Sequence, residues 1–339
     1  MRVAIAHTGM ISPVGATSLQ TTTSVLAGVT RLRATTLLDD RWRPLRLGLV
    51  AEASLPPLAP PLDARGDLST RCARMLRLAG SALAECAEAA GPLADVPMFL
   101  AIPEIAPGRA SSPDARFFDD LSLQSGVRFA AGESAAFPMG RAAGFHALAA
   151  GVAAIAAGAP RALVGGVDSH LDPLLLGWLD AEARILSEGR PVGFIPGEGA
   201  AFVLLSRDAG GVGVDAVGLG DEPGHRGSER HFAGDGLSAA VRATLPDDAA
   251  VGTVFAGMNG EPIDARAWGI AARRSHRALR PDAALYHPVE NTGDPGAALG
   301  VMMLAMSATG LARRRVQGPC LLWACSDGAP CGAARISSV

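Results

Sequence analysis

The sequence contains no lysine, and all thirty of its basic residues are arginine. This absence excludes mechanisms that need a lysine side chain, such as Schiff-base formation or phosphate binding by a P-loop lysine. Aromatic residues make up only 4% of the chain, with a single tyrosine, which argues against stacking platforms for nucleic-acid bases. A net charge of −3 argues against a broad attraction to nucleic acid or anionic membranes. We therefore expect neither a nucleic-acid partner nor a membrane partner.

Long hydrophobic runs and regularly spaced cysteines are also missing. The apolar run at the start of the chain is too short for a signal peptide. The two most apolar stretches, 147–159 and 296–312, are rich in Ala and Gly and shorter than the ~20 residues that span a bilayer, so we predict buried core helices. The five cysteines show no Cys-x-x-Cys spacing, and their odd number argues against a secreted disulfide framework. We expect reduced thiols, no bound metal and a cytoplasmic location.

The chain has enough apolar material for a sizeable core, since apolar residues account for 49% of its 339 residues. Short apolar strands alternate with helical patterns, which indicates a layered α/β fold. Ser69 is a suitable cap for a helix over 70–90. The segments 42–59 and 106–126 are predicted to be irregular.

The chain also shows signs of an internal repeat. Its length suggests two domains or halves, and a linker at 208–211 separates 1–207 from 208–339. Each half contains a helix of small residues followed by a strand. This pattern predicts two pseudo-repeated halves.

Three motifs follow one another along the chain. The segment 3–15 reads VAIAHTGMISPVG, a strand that ends in a Gly-x-x-x-Pro-x-Gly turn. The segment 144–168 opens with GFHAL and ends with the strand ALVGGVD, and the segment 193–205 reads GFIPGEGAAFVLL. In their order and spacing these motifs resemble those of the β-ketoacyl synthases of the thiolase superfamily. The resemblance implies the thiolase fold, an αβαβα layering of two pseudo-repeated halves.

The resemblance also locates three catalytic positions, and all three differ from the family. Those enzymes use a cysteine at the start of a buried helix, where the helix dipole favours the thiolate, and here the matching residue is Arg141. Their first histidine lies in a region that here contains Asn259 and Glu261, and the second aligns with Asp294. Arginine stays protonated and supplies no nucleophile. The resemblance therefore implies a protein without condensing activity, and we expect no catalytic residue.

Arg141 needs a partner if it is buried, because an unpaired buried charge costs several kcal/mol. We predict that Arg141 contacts Asp294, or else Glu261, and partly fills the former acyl site. The alternative is a repurposed pocket that binds an anion or another polar ligand. Glu198, in a Gly-Glu-Gly turn, is expected to be a buried hydrogen-bond acceptor. Five residues are candidates for lining the pocket: His146, His170, Phe194, Glu198 and Asn291.

Three hypotheses about function come from different classes. The first is a non-catalytic accessory factor, since the Asn-Gly-Glu and Gly-Asp-x-Gly-Ala-Ala segments resemble those of short synthase-like proteins found with type VI secretion cargo genes. The second is a chain-length-factor-like subunit that pairs with an active ketosynthase in polyketide or fatty-acid-type biosynthesis, since such subunits also lack the cysteine. The third is an acyltransferase with an unconventional residue, which Arg141 disfavours.

All three hypotheses imply a dimer, because the central sheet of the family continues across a two-fold interface. The second subunit would be another copy of this chain or a ketosynthase-like subunit. The first hypothesis adds a protein cargo or an adaptor as a partner. No cofactor is expected.

Overall fold

The computed structural model of this chain describes residues 3–105, 113–114, 116–207 and 210–338. Its strands in chain order are β1 Val3–Ile11, β2 Leu32–Leu38, β3 Pro44–Gly48, β4 Met98–Ile102, β5 Ala135–Pro138, β6 Arg161–Ser169, β7 Glu198–Ser206, β8 Val212–Asp221, β9 Val251–Ala256, β10 Leu279–Tyr286, β11 Cys320–Cys325 and β12 Pro330–Ser338. Its helices are α1 Ser18–Leu26, α2 Pro60–Asp63, α3 Thr70–Ala90, α4 Phe117–Ser125, α5 Ala143–Ala157, α6 Pro173–Ala181, α7 Asp235–Thr244, α8 Pro262–Arg274, α9 Val289–Thr292 and α10 Leu299–Ala312.

Ten strands form one sheet in the order β10-β9-β11-β12-β8-β1-β7-β6-β4-β5, while β2 and β3 form a separate hairpin. Outwards from its middle, the sheet reads β1-β7-β6-β4-β5 on one side and β8-β12-β11-β9-β10 on the other. In both series the first two pairings are antiparallel and the last two are parallel. The predicted pseudo-repeat is therefore confirmed at the level of topology.

The helices form three layers around the strands. Helix α3 packs on the outer side of the first series of strands, and α7, with α8 beside it, packs on the outer side of the second. Helices α5 and α10 contact each other and contact strands of both series, so they form the central layer. One apolar core lies between each outer helix layer and its strands, and a third surrounds the central helices and reaches the strands of both series. The predicted αβαβα layering is confirmed.

The small residues of the two central helices let them approach closely. A Cβ on Gly144 would lie 2.9 Å from the backbone nitrogen of Val301 and 3.0 Å from the backbone of Gly300, so α5 and α10 cross at glycines. Both predicted apolar stretches contribute to the central core. In the described chain one helical stretch, Gly140–Ala157, is long and apolar enough by length and composition to cross a membrane, and half of it is buried inside this fold.

Two segments that we predicted to be irregular contain regular structure. The segment 42–59 includes strand β3, and the segment 106–126 includes helix α4. Asp119 and Asp120 in the first turn of α4 are favoured by the helix dipole, Gly126 ends the helix in a left-handed conformation, and the helix packs against α3. Residues 106–112 and 115 lie outside the described residues.

The helix predicted over 70–90 is confirmed. The Ser69 hydroxyl accepts a hydrogen bond from the amide of Cys72 at 3.1 Å and thereby caps α3. The boundary between the proposed halves stays a prediction, since residues 208 and 209 of the expected linker lie outside the described residues.

Candidate functional site

Arg141 and Asp294 meet at the starts of the two central helices. Arg141 lies in a 3-10 turn, Gly140–Ala142, that leads into α5. Asp294 lies just before a second such turn, Gly296–Ala298, that leads into α10. The Nε and Nη2 atoms of Arg141 lie 2.7 Å and 2.5 Å from Oδ2 of Asp294. The predicted contact between these residues is confirmed.

Two carboxylates hold the turn before α10 in place. Oδ1 of Asp294 accepts a hydrogen bond from the amide of Gly296 at 2.9 Å, and Oδ2 of Asp168 accepts one from the amide of Ala297 at 3.0 Å. Gly296 has a φ of 54°, and a Cβ there would lie 2.1 Å from Oδ2 of Asp168, so this turn requires glycine. Asp168 in turn pairs with Arg71 at 2.8 Å. Both acids lie where the helix dipole favours negative charge.

Arg141, in contrast, is a cation at the positive end of a helix, which is unfavourable on its own. Two acids compensate, because Asp327 also binds Arg141, with Nη1 2.9 Å from Oδ1. Burial acts to lower the pKa of Arg141, but the nearby Asp294 and Asp327 outweigh it and hold that pKa well above its ordinary value. Burial likewise acts to raise the pKa of Asp294, and Arg141 outweighs it, so that the pKa of Asp294 lies below its ordinary value. Both side chains stay ionised.

A second arginine, Arg184, extends this ion pair. Its guanidinium binds Glu261 through two hydrogen bonds of 3.0 Å and 2.7 Å, and binds Asp327 through two more of 2.6 Å and 2.9 Å. Asp327 therefore bridges Arg141 and Arg184. The ring of Phe194 lies beside both guanidinium groups, with its centroid 5.4 Å from Cζ of Arg141 and 5.3 Å from Cζ of Arg184.

Arg226 and Asn259 complete the cluster. Nη2 of Arg226 lies 2.7 Å from Oε1 of Glu261. Nδ2 of Asn259 donates to Oε2 of Glu261 at 3.2 Å and to Oδ2 of Asp294 at 3.1 Å. The three arginines thus balance the three carboxylates to which they are bound. We call the following residues the arginine–carboxylate network: Arg141, Arg184, Arg226, Asn259, Glu261, Asp294 and Asp327.

Sequence reasoning missed Arg184, Arg226 and Asp327. Asp327 is 186 residues from Arg141 and 143 residues from Arg184, and it lies in the turn between β11 and β12. None of the three residues belongs to a motif on which the resemblance rests. The requirement that Arg141 be neutralised predicted one acid, and only the fold shows that several acids and arginines share the task.

The cavity beside Arg141 is small. Its volume is about 50 Å³, enough for very few water molecules, whereas small-molecule sites occupy roughly 300–1,000 Å³. His170 and Phe194 line it, and none of its lining residues carries a thiol or a hydroxyl group. The full lining is Arg71, Pro103, Glu104, Gly140, Arg141, Asp168, His170, Leu175, Trp178, Leu179, Arg184, Phe194, Gly296 and Asp327.

The other three candidates for the pocket wall are not among these lining residues. Glu198 is fully buried and binds Arg74 at 2.6 Å and the Ser169 hydroxyl at 2.8 Å, so the expected role as a buried acceptor is confirmed. Asn291 donates to the carbonyl of Val29 at 2.8 Å and holds the loop after α1. His146 lies on α5, where burial lowers its pKa.

A second cavity lies on the other side of the network. It measures about 410 Å³, and Asn259 and Glu261 border it together with His287 and mainly apolar side chains. The carboxylate of Glu261 is already bound by Arg184 and Arg226. Among the residues that the structure describes, no group of three or more His, Cys, Asp or Glu side chains is placed to hold a metal ion.

No protein family model and no curated protein matches the sequence. Solved structures do match the fold. A ketosynthase in complex with its chain length factor from Xenorhabdus doucetiae matches with a TM-score of 0.75 and 16% sequence identity, over 100% of this chain and 98% of that chain. The ketosynthase from module 6 of the bacillaene synthase from Bacillus subtilis 168 matches with a TM-score of 0.74 and 12% identity, over 100% of this chain and 72% of that chain.

A third structure shows an acyl-carrier protein of a type II polyketide synthase in complex with its ketosynthase. It matches with a TM-score of 0.71 and 14% identity, over 100% of this chain and 99% of that chain. This chain has the thiolase fold of the ketosynthases. One fold hosts many functions, so the function of this ketosynthase-fold chain has to be argued from its own site.

Proposed function

We propose that this chain is a non-condensing partner of a ketosynthase, similar in role to a chain length factor. The ion pair between Arg141 and Asp294 carries the proposal. In the alignment with β-ketoacyl synthases, these two residues take the positions of the nucleophilic cysteine and of a catalytic histidine. A guanidinium held between two carboxylates provides neither a nucleophile nor a base for thioester chemistry.

The size of the cavity supports the same proposal. With about 50 Å³, the cavity beside Arg141 has no room for a growing acyl chain. The cavity of about 410 Å³ borders Glu261, whose carboxylate is already bound by Arg184 and Arg226. The network fills this space with paired charges, and a buried arrangement of this kind is costly to open. We therefore place the acyl chain in the site of the partner ketosynthase, with this chain completing the complex.

The similarity to a ketosynthase that is solved together with its chain length factor favours a paired subunit. The resemblance to β-ketoacyl synthases implies that the central sheet continues across the dimer. Such a continuation would use an edge strand, and β5 and β10 are the edge strands of this sheet. A role as an accessory factor for type VI secretion cargo rests on two short motifs alone and stays a prediction.

A direct test of the non-condensing role uses the purified chain with acyl carrier protein thioesters. Intact-mass spectrometry after incubation with an acyl-loaded and a malonyl-loaded carrier should show no acyl group on this chain and no condensed product. A ketosynthase with an intact cysteine, treated in parallel, should show both. An acyl adduct on this chain, or product formation by it, would overturn the proposal.

A test of the pairing uses tagged protein from its native host, followed by reconstitution. A ketosynthase should co-purify in a one-to-one ratio, and native mass spectrometry of the two purified chains should show the heterodimer. Removal of this chain should change the length or the yield of the product. Co-purification of secretion cargo or an adaptor, without a ketosynthase, would replace this proposal with the accessory-factor hypothesis.

A further inference from the structure

Cys325 and Cys331 face each other across the β11–β12 hairpin. The next pair along the hairpin, Ser326 and Pro330, is joined by a backbone hydrogen bond of 2.9 Å from the amide of Ser326. The cysteines therefore form the non-hydrogen-bonded pair, in which Cα atoms are only about 4.5 Å apart and side chains come closest. Disulfides span Cα separations of about 4.4–6.8 Å. Both thiols are free, and the neighbouring Cys331 thiol helps to raise the pKa of Cys325.

The loop between these cysteines carries a central residue of the arginine–carboxylate network. It contains Asp327, which binds Arg141 and Arg184. Its neighbours are anchored as well, since the hydroxyl of Ser326 accepts from the amide of Ala142 at 3.0 Å. A covalent bond between Cys325 and Cys331 would close the base of this loop and restrict how far Asp327 can move from the two arginines.

We propose that Cys325 and Cys331 are a redox modification site, which a hydroperoxide or a small disulfide converts reversibly into a cross-strand disulfide. With hydrogen peroxide, one thiolate attacks an oxygen, forms a sulfenic acid and releases water after protonation. The second thiolate then attacks the sulfenic sulfur, so that the S–S bond forms and a second water leaves. Two thiols are oxidised and one peroxide is reduced to two waters. A dithiol or a thiol pool reverses the step by exchange.

The surroundings of the two thiols control the rate at which they are oxidised. A cavity of about 20 Å³ is lined by both cysteines, and its wall also includes Glu222, His225, Arg226 and Asp264. The neighbouring Cys331 thiol and burial raise the pKa of Cys325, and the charges of Asp264 and Glu222 act in the same direction. Because the thiolate is the reacting form, oxidation should be slow at neutral pH and faster as the pH rises.

Digestion with two proteases can detect this bond, because it places Cys325 and Cys331 on separate peptides. It has no lysine, so trypsin cuts only after arginine and releases 316–335, which contains Cys320, Cys325 and Cys331 in one peptide. Endoproteinase Asp-N then cuts before Asp327, the only acidic residue of that peptide. After treatment of the folded protein with hydrogen peroxide and alkylation of the remaining thiols, 316–326 and 327–335 should stay linked and have lost two hydrogens. Reduction should separate them.

Two single substitutions identify the cysteines involved. Cys320 lies on the same strand but is paired with Ile336, so Cys320→Ser should leave the linked peptides unchanged. Cys325→Ser and Cys331→Ser should each abolish them. The oxidised wild type should unfold about 3 °C higher than the reduced form, as expected when a short loop is closed in a chain of this length.

Three results would overturn the proposal. One is the absence of linked peptides after oxidation of the folded protein at pH 8. Another is a link that persists in Cys325→Ser, which would assign it to Cys320. A third is a link that forms only in urea, where the hairpin is lost. Circular dichroism of each variant shows whether it has folded, and free-thiol counts on the folded wild type test the reaction without any substitution.

Discussion

Arg141 and Asp294 lie at the starts of corresponding helices in the two halves of the fold, and they bind each other. Helix α5 connects β5 to β6, and helix α10 connects β10 to β11, at matching positions in the two series of strands. The pseudo-symmetry brings the two helix starts together, one with a cation and the other with an anion. The ion pair therefore joins matching helix starts of the two strand series, which explains how it links residues 153 positions apart.

Replacement of Asp294 should destabilise the protein strongly. Asp294→Ala leaves Arg141 buried with Asp327 as its remaining acid and removes the cap of the turn before α10. Loss of one member of a buried ion pair costs about 3–5 kcal/mol. Urea unfolding followed by circular dichroism should show a free energy of unfolding that is lower by about that amount.

The matched control is the exposed ion pair between Arg280 and Asp282, at 2.9 Å. Asp282→Ala should leave the urea midpoint unchanged within error, because exposed pairs are screened by water and salt. If Asp294→Ala behaved like Asp282→Ala, the ion pair at the helix starts would not be what holds this site together.

The sequence could predict the Arg141–Asp294 contact because two local observations were enough. The motifs placed both residues at one site, and the cost of a buried charge required a partner. The layered fold could be predicted for a similar reason, since the alternation of strands and helices is visible in the local sequence. The roles of Arg184 and Asp327 could not be predicted from the sequence. Only the packing of α6, its following loop and the β11–β12 turn brings these residues to Arg141.

Helix α4 was missed for a different reason. Phe117–Ser125 follows a polar stretch, and at nine residues it is too short for the helical spacing of Phe117 and Leu121 to repeat. Its start and its end depend on Asp119, Asp120 and Gly126, which are equally common in turns. Packing of α4 against α3 decides between helix and loop, and that contact is not visible in the local sequence.

Asp264 should make the stability of the protein depend on pH. Burial raises its pKa to about 7, although Arg141 acts in the opposite direction. Since its pKa is higher in the folded state than in the unfolded state, Asp264 favours folding at low pH. That contribution is lost as the pH rises from about 4 through 7.

Asp264→Asn removes this titration while keeping the shape of the side chain. The variant should match the wild type near pH 4 and become more stable than the wild type as the pH rises to 8, by several degrees in the unfolding midpoint. Thermal unfolding at intervals between pH 4 and 8 measures the difference, with Asp282→Asn as a control that gains nothing at pH 8. If the unfolding midpoints of Asp264→Asn and the wild type differed by the same amount at every pH in this range, Asp264 would not bind a proton more tightly in the folded state.

The crossing of the two central helices can be tested by replacing each of two helical glycines with alanine. Alanine forms helices better than glycine by up to about 1 kcal/mol, so a glycine with free space around it should gain stability on replacement. Gly269, in α8, has nothing within 4 Å of an added Cβ, and Gly269→Ala should raise the free energy of unfolding by about 0.5–1 kcal/mol.

Gly144→Ala should have the opposite effect although it also lies in a helix. Its Cβ would meet the backbone of Gly300 and Val301 at 2.9–3.0 Å, and backbone atoms cannot rotate away as a flexible side chain can. Helices α5 and α10 would have to separate, at a cost of about 1–3 kcal/mol, and the ion pair between Arg141 and Asp294 would be stretched with them. Urea unfolding of both variants should therefore give shifts of opposite sign. Equal gains would mean that the helices do not cross at this glycine, and the short distance between Arg141 and Asp294 would need another explanation.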